Sequence, residues 1–149
     1  MTHDTLERRT WMESLARADE ADLEEWFARF APPAYTWLRP PETGLVMVRA
    51  RAGGTGERFN LGEMTVTRCA LRVGESTTGI AYVAGRAARH AELAALGDAL
   101  MQDARTRARL EGGLLAALEE KRSRRDRERM RRAAATRVEF FTLARGDGP

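Results

Sequence analysis

The residues best suited to chemistry in this chain are a glycine-rich turn and the arginines and threonines beside it. Glycine tolerates positive φ, so backbone N–H groups in a Gly-Gly-x-Gly turn can point at a ligand. Guanidinium groups and hydroxyls next to such a turn suit a phosphate, a carboxylate or an acidic neighbouring protein. No Lys-Ser/Thr pair and no helix follow the glycines, which excludes a P-loop, whereas a tight hairpin turn accounts for the same pattern. The candidate anion- or partner-binding residues are Gly53, Gly54, Thr55, Gly56, Arg58 and Arg68.

Other titratable residues are weaker candidates for catalysis or metal binding. His90 and Glu92 lie about 200° apart in a helical pattern and cannot both face one ligand, so we expect a structural histidine and keep both only as weak site candidates. One cysteine and two histidines supply no zinc set, and Cys69 reads as a small core residue within a strand. Four acidic residues could bind Mg²⁺, but their spacing does not require it, so we predict surface carboxylates and no metal. These residues are Glu57, Glu63, Glu92 and Asp98.

The most basic stretch is residues 121–132, with eight basic and two acidic residues. Such a helix could bind nucleic acid phosphates. It lacks interleaved aromatic residues and matches no nucleic-acid-binding fold, so a solvated helix face or a contact with an acidic partner is the favoured interpretation. A nucleic-acid-binding module acting through this helix and a stand-alone enzyme are the alternative functions.

Composition indicates one domain, 1–149, without a membrane span. Alanine accounts for 25 of the hydrophobic residues, so large apolar side chains are scarce and a partner could cover the remaining faces. The net charge is +3 and Lys121 is the only lysine, and this excess of arginine raises the expectation of an anionic ligand only slightly. Without an apolar run of about 18 residues, a signal peptide or a second cysteine, we expect no membrane contact, no internal disulfide and a cytoplasmic location.

The pattern of apolar residues predicts an α+β fold. Two amphipathic helices span residues 4–31 and end at Pro32-Pro33. A small antiparallel meander sheet follows, and then two long helices separated by Gly112-Gly113. Gly97 inside the first long helix indicates close packing or a surface that faces a ligand. The predicted strands are 35–39, 45–51, 64–73 and 80–84, with a turn at Pro40-Pro41, and the predicted long helices are 86–110 and 114–135.

A C-terminal strand is predicted from Arg137 to Arg145. Phe140 and Phe141 are adjacent, so they face opposite sides of that strand. A strand that is apolar on both sides is either central in a sheet or covered by another chain. In a small domain with few large apolar residues, we favour a strand that is covered by another chain. The candidate partner interface comprises Arg137, Phe140, Phe141 and Arg145.

A series of short motifs runs along the chain. These are Glu42-Thr43-Gly44-Leu45-Val46, Arg51-x-Gly53-Gly54-Thr55-Gly56-Glu57-Arg58-Phe59, Thr65-x-Thr67-Arg68, Val83-x-Gly85-Arg86, His90-Ala91-Glu92, Asp98-Ala99-Leu100-Met101-Gln102 and Arg137-Val138-Glu139-Phe140-Phe141-Thr142-x-x-Arg145-Gly146-Asp147. In this order they resemble the PhnG family, small subunits of the bacterial carbon–phosphorus lyase core complex. The resemblance extends from about Trp11 to Asp147 and is weakest between Glu111 and Ala135.

The resemblance implies an accessory role in phosphonate breakdown. The family works in a symmetric hetero-oligomer that displaces adenine from ATP with an alkylphosphonate and makes α-D-ribose 1-alkylphosphonate 5-triphosphate. A larger partner is credited with the nucleosidase chemistry, and another, with an iron–sulfur cluster, with cleavage of the C–P bond. We therefore expect this chain to hold no cofactor, with ATP a substrate of the complex, and to bind the other core subunits, chiefly the large nucleosidase subunit. Residues 53–58 with Arg68 would lie near the triphosphate or phosphonate, or would shape a subunit interface.

Overall fold

Two helices open the described part of the chain, which in this computed structural model comprises residues 3–135. They are α1 (His3–Arg17) and α2 (Glu20–Phe30). After α2 the chain turns at Ala31, whose φ of 48° lies in the left-handed region, and Pro32-Pro33 then prevent further helix. The predicted pair of helices and their stop at the prolines are confirmed.

Three antiparallel strands form the sheet: β1 (Tyr35–Arg51), β2 (Arg58–Val73) and β3 (Thr77–Ala84). Their order is β1-β2-β3, so each strand pairs with its neighbour in the chain. This order is that of the predicted meander. A short 3₁₀ turn, Ala52–Gly54, joins β1 to β2.

The strand boundaries differ from the prediction in three places. β3 begins at Thr77 instead of residue 80, because Thr77 already pairs with Val73 of β2. Residues 35–39 and 45–51 belong to one strand, and Pro40-Pro41 lie within it rather than in a turn. The register between β1 and β2 shifts on either side of Arg39, because proline has no N–H to give to the ladder and is tolerated only on an edge strand. β2 begins at Arg58 instead of residue 64, since pairing with β1 keeps residues 58–63 extended.

The helical C-terminal half is divided differently from the prediction. It comprises α3 (Ala88–Met101), α4 (Ala104–Arg109), a π-helical segment (Leu110–Leu115) and α5 (Ala116–Ala135). The predicted break at Gly112-Gly113 is wrong, because the helix continues through both glycines in its widened π form.

The break lies instead at Gln102 and Asp103, which precede α4. Asp103 caps α4, since its carboxylate accepts a hydrogen bond from the backbone N–H of Arg105 at 3.0 Å. The hydroxyl of Thr106 donates to the carbonyl oxygen of Leu100 at the end of α3. These polar contacts satisfy backbone groups that two helix ends leave unpaired, so the chain can turn here.

Helix α3 is the centre of the core, because α1, α2 and the sheet all pack against it. The packing is close at two glycines, and at Gly79 the neighbouring atom belongs to the backbone. A Cβ on Gly79 of β3 would lie 1.9 Å from the carbonyl oxygen of Ala95, and one on Gly97 would lie 2.9 Å from Leu15. The close-packing interpretation of Gly97 is confirmed. Large buried apolar residues of this core include Leu15, Leu23, Leu71, Leu93, Leu96, Met101, Leu110 and Leu114.

The chain divides into a compact unit up to Glu119 and a second unit from Glu120 to the end. The described part of the second unit is the remainder of α5, where most side chains are exposed. The predicted strand 137–145 lies outside the described residues. Among the helices of residues 3–135, none combines the length and the apolar character that crossing a bilayer requires.

Candidate functional site

The β1–β2 hairpin is longer than the rest of the sheet. β3 pairs with β2 only between Val66 and Val73. From the pair Leu45 and Thr65 to the pair Arg51 and Arg58, the two long strands continue as a ribbon to which the described residues add no third strand. We call residues 45–65 the arm. The glycine-rich turn therefore lies at the tip of a two-stranded arm.

The turn at the tip needs its glycines for two different reasons. Gly53 and Gly54 have φ of 58° and 82°, a region that other residues rarely adopt, as the hairpin interpretation predicts. A Cβ on Gly56 would lie 2.6 Å from the carbonyl oxygen of Ala52. That oxygen accepts hydrogen bonds from the N–H groups of Thr55 and Gly56. Two of the four N–H groups of residues 53–56 are thus used inside the turn and do not point at a ligand.

Arginines are concentrated on one face of the tip. Arg51 lies directly opposite Arg58, and Arg49 is two residues away on β1, so the register places all three on the same side. All three are exposed. Arg51 donates from Nη1 to the carbonyl oxygen of Gly56 at 3.1 Å, and within residues 3–135 neither Arg49 nor Arg58 has a carboxylate partner. Like charges directly opposite in a ribbon repel, and a bound negative charge would relieve that repulsion.

Arg68 does not join this group. It lies ten residues from Arg58 on the same strand, which corresponds to about 33 Å of extended chain. Its Nε donates to Oε1 of Glu42 at 2.7 Å, and Arg39 lies 3.4 Å from the same oxygen. Hydrogen bonds to Glu42 and Tyr82 raise the pKa of Arg68 above its usual range. The structure therefore separates Arg68 from the glycine-rich turn, and the two do not form one anion site.

His90 has a structural position at the start of α3. It is buried, and its Nε2 lies 2.8 Å from the carbonyl oxygen of Leu15 at the end of α1. Its backbone N–H donates to the carboxylate of Glu20 at 3.0 Å. Both contacts join α3 to the N-terminal helices, which agrees with the expected structural histidine.

Glu92 faces a different element, as the helical spacing predicts. It accepts a hydrogen bond from the hydroxyl of Tyr35 on β1 and another from Nη1 of Arg89 at 2.6 Å. Burial and the adjacent Glu92 carboxylate raise the pKa of Tyr35 to about 12. His90 and Glu92 therefore bind separate partners and do not converge on one ligand.

Asp98 is the residue that the sequence interpretation placed wrongly. It has no exposed surface, whereas Glu57 and Glu63 are exposed as predicted. Its carboxylate accepts four hydrogen bonds: Oδ1 from Nε of Arg8 at 3.1 Å and Nε1 of Trp11 at 2.9 Å, and Oδ2 from Nη2 of Arg8 at 2.7 Å and the N–H of Ile80 at 2.9 Å.

These contacts make Asp98 a junction between α1, α3 and β3. A buried carboxylate is stable only when donors satisfy it, and here all four come from other elements. A signal was present in the sequence, because an acidic residue that follows a mostly apolar stretch of helix needs a cationic partner. The identity of that partner, Arg8, required the fold.

Cys69 is buried, and its Sγ lies 3.1 Å from the carbonyl oxygen of Ala91. Burial, with a smaller contribution from the charge of Glu92, raises the pKa of the thiol to about 11. A thiol in this state is a poor nucleophile, so the prediction of a small core residue is confirmed. In the part of the chain that the structure describes, no three His, Cys, Asp or Glu residues come together in a set that could hold a metal ion.

The comparisons with known proteins agree on one family. Residues 6–146 match the family described as "Phosphonate metabolism protein PhnG". The α-D-ribose 1-methylphosphonate 5-triphosphate synthase subunit PhnG of Rhizobium meliloti (strain 1021) is 44% identical over 145 residues, which cover 95% of this chain and 90% of that relative. With a match that includes the helices, the sheet and the arm, the chain belongs to the PhnG family.

Proposed function

We propose that this chain is an accessory subunit of the carbon–phosphorus lyase core complex and supports synthesis of α-D-ribose 1-alkylphosphonate 5-triphosphate in phosphonate catabolism. The observation that supports this most strongly is the identity, over 95% of the chain, with a relative named as a subunit of such a synthase. We further propose that ATP is a substrate of the whole complex, that this chain holds no cofactor of its own, and that the complex acts in the cytoplasm.

The proposed reaction forms one bond and breaks another at the ribose of ATP. A phosphonate oxygen attacks the anomeric carbon, and the electron pair of the glycosidic bond leaves with adenine, which takes up a proton. This step needs groups that position the phosphonate and protonate adenine. Two candidates for such a role among residues 3–135 are occupied elsewhere: Nε2 of His90 lies at a carbonyl oxygen of α1, and the carboxylate of Asp98 accepts hydrogen bonds from four donors.

We therefore place the chemistry on another subunit, chiefly the large nucleosidase subunit, with this chain stabilising or completing that subunit's site. Segment 137–145 is a proposed contact, with Arg137, Phe140, Phe141 and Arg145 as its interface residues. Removing this segment should lower the yield of the co-purified complex. An unchanged yield would contradict this contact.

Co-expression with the other core subunits tests the accessory role. Native mass spectrometry of the purified material should show a stoichiometric complex, and chromatography should show adenine released from ATP only when methylphosphonate and the complex are both present. Omitting this chain is the control and should reduce both assembly and turnover. Turnover by this chain alone would instead support a stand-alone enzyme.

Nucleic acid binding through the basic stretch 121–132 is the alternative function, and it can be tested separately. Nucleic acid binding through it predicts affinity that falls steeply with salt and needs no partner subunit. If this helix face is solvated, substituting Arg124, Arg127 and Arg131 with glutamine should leave assembly and turnover of the complex unchanged. If it contacts an acidic partner subunit, the same substitutions should weaken assembly. A loss of nucleic acid affinity together with a loss of function in these variants would favour the alternative.

A further inference from the structure

We infer that the arm, residues 45–65, is a docking element that enters an apolar cleft with an acidic rim on another subunit of the synthase. The inference rests on the proposed function, since it takes the partner from the same complex. It adds the surface through which this chain binds and the chemistry of the surface that receives it.

Apolar side chains on the arm are exposed to an unusual degree. The exposed fractions are 62% for Leu45, 50% for Met47, 45% for Phe59, 64% for Leu61 and 43% for Met64. A two-stranded hairpin is only marginally stable alone in water, and a contiguous exposed apolar surface marks an interaction site. The arm therefore has the composition of a segment that is buried in an assembly.

The register places these side chains on both faces of the ribbon. Leu45 and Met47 alternate with Val46, and Val46 lies directly opposite Met64 on the other face. A flat partner surface could cover only one of the two faces. A cleft that encloses the ribbon covers both, which is why we assign a cleft to the partner.

Charge favours a different subunit over a second copy of this chain. Three arginines, Arg49, Arg51 and Arg58, outnumber the two glutamates of the arm, Glu57 and Glu63. A symmetric contact between two arms would set the same arginine face against itself, and like charges suppress such pairing. Carboxylates at the rim of a partner's cleft would instead pair with the tip arginines.

The size of the arm agrees with a stable interface. It has about 20 residues and, at about 3.3 Å per residue, extends for about 20 Å beyond the last pair between β2 and β3. A stable protein–protein interface uses about 20–30 residues on each side. The arm alone can thus supply most of one side.

Paired substitutions in the co-expressed complex test the inference. Leu45→Ser with Met64→Ser removes apolar surface, and Arg49→Glu with Arg58→Glu reverses charge at the tip. Either pair should weaken binding to the other subunits by at least about tenfold in a quantitative pull-down. The matched controls are Leu6→Ser, an exposed apolar residue of α1, and Arg72→Glu, an exposed arginine of β2 outside the arm. Both controls should stay within about twofold of wild type.

A photo-crosslinking amino acid in place of Leu61 gives a readout that does not depend on how the double variants fold. It should crosslink to another subunit of the complex. If the wild-type chain forms no complex, the proposed function itself fails. If the wild type assembles and the arm variants assemble equally well, only the arm inference is overturned. Crosslinks solely to a second copy, or variants that assemble normally but raise the KM for ATP, would also overturn it.

Discussion

Replacing Asp98 with asparagine tests the buried carboxylate that joins α1, α3 and β3. An amide of the same shape keeps one oxygen acceptor but presents an NH₂ group where the second oxygen stood. Two of the four donors then face another donor: either Nε of Arg8 with the indole of Trp11, or Nη2 of Arg8 with the N–H of Ile80. The ion pair with Arg8 is lost as well.

The expected loss in the free energy of unfolding is about 3 kcal/mol. A buried donor left without an acceptor costs about 1–3 kcal/mol, and breaking a buried ion pair costs about 3–5 kcal/mol. The side chain of Arg8 is 35% exposed, so water can solvate it after the change, which places the expected value at the lower end of that range. For a chain of this length the loss corresponds to a fall in Tm of about 6–12 °C.

Urea unfolding followed by tryptophan fluorescence measures this loss, because Trp11 is one of the four donors. Glu75→Gln, at an exposed carboxylate in the turn before β3, is the matched control and should change stability by less than about 0.5 kcal/mol. Combining Asp98→Asn with Arg8→Met should cost less than the sum of the two single changes, since the two residues share one ion pair and either single change already breaks it. A loss below about 1 kcal/mol for Asp98→Asn would refute the buried-charge argument, because that is the value of an ordinary neutral hydrogen bond.

Three further predictions concern the core. Gly79→Ala should destabilise the chain by about 3 kcal/mol or more in urea unfolding, because its Cβ would overlap the carbonyl oxygen of Ala95. Gly44→Ala, where a Cβ meets open space, is the control, and equal effects of the two substitutions would contradict the close contact at Gly79. The thiol of Cys69 keeps its proton to about pH 11 when folded but loses it near pH 9 when unfolded, so its contribution to stability is present below pH 9 and is lost as the pH rises to 11. Cys69→Ala should therefore flatten the decline in stability over this pH window, and an unchanged slope would show that the thiol does not contribute. His90→Gln should reduce stability by about 1 kcal/mol and leave the kcat of the assembled complex unchanged, whereas a large fall in kcat at normal assembly would indicate catalysis.

The helices show which structural features can be predicted from local sequence patterns and which cannot. The proline stop after α2 follows from the fixed geometry of proline, so it could be predicted without any tertiary information. Gly112-Gly113 misled the prediction because glycine costs only about 1 kcal/mol in a helix, which packing can offset. The true break at Asp103 depends on a cap and on a hydroxyl contact with the end of α3.

The sheet also contains a feature that the local sequence does not predict. Leu45 to Arg51 alternates clearly and was predicted as a strand, but residues 58–63 include Asn60 and Gly62, two residue types that are depleted in strands. They are extended because β1 pairs with them residue by residue. The length of the arm, and hence the distance between Arg58 and Arg68, therefore could not be derived from local composition.

The sequence by itself determined the α+β class, the need for positive φ at Gly53 and Gly54, and the membership of the PhnG family, because each depends on residue types at short spacing or on ordered motifs. Only the tertiary structure decided that Asp98 is buried, that Arg68 lies apart from the glycine-rich turn and that an apolar arm is exposed. Each of these depends on which residues meet across the fold. Arg8 and Asp98 are 90 positions apart in the chain, and no local pattern can specify a contact over that separation.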